Sequence, residues 1–140
     1  MPDGQLFRVM DVSVSALQAQ RQRMDIISAN IANAESTRAA DGRPYQRQQV
    51  AFDTILKDAQ GLSPTGEGVR ATVVKDPRPP IHVHMPGHPD ADANGFVLMP
   101  DIRPAEEMAD LISASRSYEA NAAAFKINRS ILQKSLELGR

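Results

Sequence analysis

Apolar residues recur at heptad spacing at both ends of the chain. In the last third, Leu111, Tyr118, Phe125 and Leu132 stand seven apart, and Met108, Ser115, Ala122, Arg129 and Leu136 form a companion row offset by three or four. Alternation of three and four is the seam of a long helix that buries one stripe against other helices. The expected ends are marked by Asp101 as N-cap, Pro104 in the first turn, Glu106 and Glu107 where the helix dipole favours anions, and Gly139 past the last turn. Such a helix, about 35 residues long, would reach about 50 Å, more than a small globular core covers. Its stripe must therefore find partners in the same chain or in neighbours.

A second amphipathic helix is predicted from Leu6 to about Asn33. Met10, Leu17, Met24 and Ile31 repeat at seven, with Phe7, Val14, Arg21 and Ser28 as the companion row and Ile27 widening the stripe. The ladder runs out where Asn30, Asn33, Ser36 and Thr37 offer competing side-chain bonds. Arg21 and Arg129 stand in seam rows where apolar residues are expected. The pattern predicts a mainly α protein: long N- and C-terminal heptad helices paired as a coiled coil, with a small irregular β region inserted between them. The expected divisions are residues 1–35 for the N-terminal helix, 36–100 for a loop-rich middle with short strands, and 101–140 for the C-terminal helix. The residues assigned to subunit or helix packing are Met10, Leu17, Met24, Ile31, Met108, Leu111, Tyr118, Phe125, Leu132 and Leu136. A seam with a partner chain and a bundle core within one subunit both fit the pattern.

The middle is predicted from weaker signals. Asp41-Gly42 marks a turn, Tyr45 to Phe52 alternates weakly as a strand, and Asp53 to Ala59 reads as a short helix or a continuation. Gly61 to Gly68 is a loop, and Val69 to Lys75 is a better strand, rich in β-branched residues. Asp76-Pro-Arg-Pro-Pro must be extended, because proline forbids a helix and restricts the residue before it. Ile81 to Met85 alternates again, Pro86 to Gly95 is a loop, and Phe96 to Met99 is a short strand. These strands hold too few apolar residues to be stable alone.

Composition narrows the function. A net charge of −1 argues against a protein held on nucleic acid by phosphate contacts. Aromatic residues make up 4%, so a large aromatic core is not expected. With no cysteine there are no disulfides and no thiol chemistry. The first ten residues lack a basic region followed by an apolar one, so no cleavable signal peptide is expected and export would use another route.

His82, His84 and His88, with Asp90 and Asp92, are the one constellation that resembles a metal site. Pro80, Pro86, Gly87 and Pro89 surround them, and turns of this kind use His and Asp for local bonds. The reading is therefore no catalytic residue, no metal and no cofactor, with a small metal-dependent enzyme as the alternative.

Four blocks carry a resemblance. Ser28-Ala-Asn-Ile-Ala-Asn-Ala-Glu-Ser-Thr, Asp41-Gly-Arg-Pro-Tyr-Gln-Arg-Gln, Pro86-Gly-His-Pro-Asp-Ala-Asp-Ala-Asn-Gly-Phe-Val-Leu-Met-Pro and Glu106-Glu-Met-Ala-Asp-Leu-Ile-Ser-Ala-Ser-Arg-Ser-Tyr-Glu-Ala-Asn are similar to the flagellar rod and hook axial proteins. The last two blocks are the more specific, and resemble a proximal-rod branch of that family. The resemblance implies a structural subunit of the flagellar basal body rather than an enzyme. Its terminal helices would polymerise into the periplasm-spanning rod that transmits torque. It implies self-association, rod neighbours of the FlgB, FlgF, FlgG and FliE types, and passage through the flagellar type III export apparatus. The alternative within the apparatus is another axial subunit. The 60–68 loop matches nothing in the family pattern.

Overall fold

The structure is a computed structural model, and it describes residues 3–39, 42–55 and 68–138. Helix α1 spans Asp3–Ala32 and helix α2 spans Pro104–Leu138. Between them lie β1 (Gln48–Ile55), β2 (Gly68–Lys75), β3 (Ile81–His84) and β4 (Phe96–Met99). The architecture is thus two long terminal helices with two small antiparallel sheets between them. One sheet is β1–β2, from Gln48 opposite Lys75 to Ile55 opposite Gly68. The other is β3–β4, from Ile81 opposite Met99 to His84 opposite Phe96.

Both helices lie close to their expected bounds, with one difference at the start of α2. Proline occupies the first helical position, where its fixed φ is already helical. The carbonyl of Arg103 accepts from the amides of Glu106 and Glu107, so Arg103 occupies the cap position. Asp101 lies outside the helix, and its carboxylate accepts from Arg78 instead. At the other end α1 stops where the Asn33 amide bonds back to the Ala29 carbonyl, with the Asn33 side chain on the same oxygen at 2.8 Å.

β1 begins three residues later than the alternation from Tyr45 suggested, because the Tyr45 and Arg47 side chains turn toward the helices. The stretch from Asp53 continues β1 as far as Ile55, and the remainder of the 56–67 segment lies outside the described residues. Asp41 of the expected turn is likewise outside them. Its partner Gly42 has φ 78°, which suits the tight return to Ala39. Gly95 also has φ 78°, and a Cβ there would lie 3.0 Å from Cβ of Pro86. Only glycine closes that turn without moving the 86–95 loop.

α1 packs against α2 and also against both strands of the first hairpin. The hairpin lies along α1: Gln48 meets Asn30 near the helix end, and the Val69 amide donates to Ser15 Oγ at 3.0 Å fifteen residues back. A strand rising about 3.4 Å per residue and a helix rising about 1.5 Å per residue keep pace over that length. The buried apolar residues are Ala19, Ile27, Ala34, Val97, Ile102 and Ala114, gathered where α1 ends and α2 begins. This core is small, so polar contacts at the same place carry much of the job of joining the parts.

The heptad rows do not form the closed part of the seam. Met10, Leu17, Met24, Ile31, Leu111, Tyr118, Phe125 and Leu132 are half-buried, and Met108 is exposed. The Leu136 side chain lies outside the described residues. The buried positions are Ala19, Ile27 and Asn30 on α1, Ala34 just past its end, and Glu107 and Ala114 on α2. Small residues admit the closest backbone approach, so the larger side chains flank the contact line.

A polar junction as the candidate functional site

Where the helices meet, Asn30 is 1% exposed and uses every hydrogen-bonding position its amide has. Nδ2 donates to the Gln48 carbonyl at 2.8 Å and to Glu107 Oε2 at 3.0 Å. Oδ1 accepts from the Gln48 amide at 3.0 Å and from the Tyr45 hydroxyl at 3.2 Å. One side chain on α1 therefore holds the start of β1 by both its backbone groups and also reaches α2.

Glu107, also 1% exposed, is the second node. Its Oε1 accepts from Nε and NH2 of Arg47, each at 2.7 Å. Arg47 extends the chain of contacts, donating from NH1 to Asp76 Oδ2 at 3.0 Å. Asp76 is 5% exposed and also accepts from Gln49 Nε2 at 2.9 Å, from Arg78 NH2 at 2.9 Å and from the Arg78 amide at 3.1 Å. Arg78 then donates to Asp101 at 2.8 Å. The backbone closes the same unit, with the Asp76 amide on the Arg47 carbonyl at 2.8 Å and Gln46 Nε2 on the Asp76 carbonyl at 2.7 Å.

These contacts set the protonation states. Hydrogen bonds from Arg78 hold the Asp76 carboxyl well below its ordinary value; burial opposes this, and the Arg47 bond adds to it. Burial works against the Arg47 charge, but the bond to Glu107 and its charge outweigh burial and hold the guanidinium protonated. The Tyr45 hydroxyl is pushed up, first by burial and then by the nearby Glu107 charge. Every charge in the junction faces an opposite one. The arrangement clamps α1, the first hairpin and α2 together.

A second clamp ties the exit from α1 to the 86–95 loop. Asp90 accepts from Thr37 Oγ1 at 2.8 Å and forms an ion pair with Arg38. Asp92 accepts from the amides of Asn94 and Phe96, and His88 Nδ1 accepts from the Asp90 amide. His82 and His84 are exposed on β3; His82 lines a shallow cleft with Asp90 and Asp92, and the His84 ring lies 5.1 Å from Phe96. Among the described residues, no group of three or more His, Asp or Glu is placed to hold a metal ion. The constellation is thus divided between a turn, a clamp and an exposed strand.

Sequence reasoning did not find this junction as a unit. Glu107 reads as a dipole-favoured first-turn carboxylate, Arg47 as part of a weakly alternating strand and Asn30 as one of the side chains that compete with the helix ladder. The usable signal was Asn30 within a helical apolar stripe, since a buried amide there requires partners.

Two long helices from the chain ends, fastened by polar clamps, are the parts of a structural axial subunit. The sequence comparisons agree. Residues 10–39 match the family model for flagella basal body rod proteins. Residues 93–138 match that for the flagellar basal body rod FlgEFG protein C-terminal region. The chain is 43% identical over 136 residues to the flagellar basal-body rod protein FlgC of Yersinia enterocolitica, covering 96% of this chain and 98% of that one. It is 39% identical to FlgC of Bacillus subtilis and 40% identical to FlgC of Salmonella typhimurium, with the same coverage of both chains. The chain belongs to the FlgC family of flagellar basal-body rod proteins.

Proposed function

We propose that this chain, a structural subunit of the flagellar basal-body rod, polymerises through its two terminal helices into the torque-transmitting shaft. α1 and α2 pair as a coiled coil inside each subunit, and the apolar surface left over on α2 joins neighbours. The observation that carries this reading is the outer face of α2. Met108, Ile112, Ile127 and Ile131 are between 50% and 60% exposed. At about 100° per residue they fall on the side of the helix opposite Glu107 and Ala114, which face the junction. α1 has no comparable free face at its C-terminal half, because α2 and the hairpin both pack on it.

The residues assigned to packing divide along the same lines. Met10, Leu17, Met24, Ile31, Leu111, Tyr118, Phe125 and Leu132, all half-buried, flank the intrachain contact, and Met108 belongs to the outward face. A shaft under torque needs many such seams in parallel, so that no single contact bears the load. The partners on this reading are further copies of the chain and rod proteins of the FlgB, FlgF, FlgG and FliE types. Delivery is through the flagellar type III export apparatus. The terminal helices, residues 1–35 and 101–140, form one coiled-coil domain, and the 36–100 segment is its insertion.

The test is mass spectrometry of hook–basal bodies purified from strains with and without the gene. Presence of the chain, with a rodless and non-motile deletion strain, is expected. Absence from the basal bodies with motility preserved would overturn the proposal.

A further inference from the structure

Glu107 is a charge on the paired face of α2, and burying it against α1 is unfavourable unless a cation comes with it. α1 supplies only the neutral amide of Asn30, at 3.0 Å. Arg23, on the preceding turns of α1, faces Asp110 at 4.0 Å rather than Glu107. The cation is Arg47, which belongs to neither helix.

Arg47 is held at the open end of the first hairpin, opposite to the Ile55–Gly68 end. Its carbonyl accepts from the Asp76 amide one residue beyond the Gln48–Lys75 pair, and its NH1 is on the Asp76 carboxylate. Asp76 in turn is held by Gln49 and Arg78. The guanidinium is therefore in position only when β1 and β2 have paired.

We infer that Arg47 licenses the pairing of α1 with α2: the inserted hairpin must be formed before the C-terminal helix closes on the N-terminal one. A buried carboxylate stripped of its partner is strongly unfavourable, whereas replacing both charges with apolar groups of similar volume is often close to neutral. The helices are thus coupled to the insertion through a charge that neither of them can neutralise.

The test compares Arg47→Met with the double variant Arg47→Met/Glu107→Leu by amide hydrogen exchange on the full chain. The α2 segment Glu107–Tyr118 is followed against β2 as an internal reference. Arg47→Met is expected to speed exchange in that α2 segment about 100-fold, while β2 stays within about tenfold of the unmodified chain. The double variant is expected to recover α2 protection to within about tenfold. Unchanged α2 protection in Arg47→Met would overturn the inference. So would equal losses in α2 and β2, because Arg47 would then contribute only general stability. A double variant no better protected than Arg47→Met, or an unmodified chain without α2 protection, would also reject it.

Discussion

Replacing Asn30 with Asp changes one heavy atom and inverts two of that side chain's four hydrogen bonds. The Nδ2 donor now serves the Gln48 carbonyl at 2.8 Å and Glu107 Oε2 at 3.0 Å. An ionised carboxylate at that place would set oxygen against oxygen at both contacts. Two donor bonds at about 1 kcal/mol each are lost, and placing a second anion beside a buried carboxylate adds about 2 kcal/mol more. Asn30→Asp is therefore expected to lower stability by about 4 kcal/mol at pH 7, a large part of a typical domain total of about 5–15 kcal/mol. The introduced carboxyl would escape part of this by holding its proton, so its pKa in the folded state lies above the unfolded value of about 3.9. A raised folded pKa means stability that is present below the unfolded value and lost as pH rises through the folded one. The deficit against the unmodified protein should accordingly shrink toward about 1 kcal/mol near pH 4, where a neutral carboxyl restores one donor of the two. Urea titrations of both proteins from pH 4 to 8 measure this difference directly. Equal stability at pH 7, or a deficit independent of pH, would refute the placement of Asn30 Nδ2 against Glu107.

Three further perturbations test other parts of the structure. Asp76→Asn removes the counter-ion shared by Arg47 and Arg78; because Arg78 depresses the Asp76 pKa below its ordinary value of 3.8, the advantage of the unmodified protein should be full above that value and decline progressively as pH falls below it toward the folded pKa. Urea midpoints from pH 6 to 2 follow it, and a loss of advantage already complete at pH 4 would contradict the geometry. Gly95→Ala should destabilise the protein by about 1–2 kcal/mol, from the positive φ and the contact with Pro86, as read by thermal unfolding. Leu111→Asp and Phe125→Asp place a charge in the half-buried flank of the helix pair, and each should abolish swarming in soft agar; normal swarming would show that this flank does not serve assembly.

Periodicity along the chain determined the two helices, because amphipathic spacing reports which side of a local element must leave water. It placed α1 and α2 within a few residues; β-branched alternation read β2 from Val69, one residue inside its start at Gly68, and the short strand read at Phe96 to Met99 is β4. The prolines from Pro77 to Pro80 dictated an extended passage between the two sheets for steric reasons that need no tertiary context. Which side chains close the seam was decided only in three dimensions. Heptad counting favours the larger apolar residues, whereas Ala19, Ile27 and Ala114 are the apolar positions buried on the helices and most of the heptad residues are half-buried. The junction could not be read locally either: Asn30 and Glu107 are 77 positions apart, Arg47 and Glu107 60, and Arg47 and Asp76 29. A charged residue in a sequence reads as solvated until its counter-ion is placed beside it. That placement depends on how the hairpin lies along α1, a property of the folded chain and of no single segment.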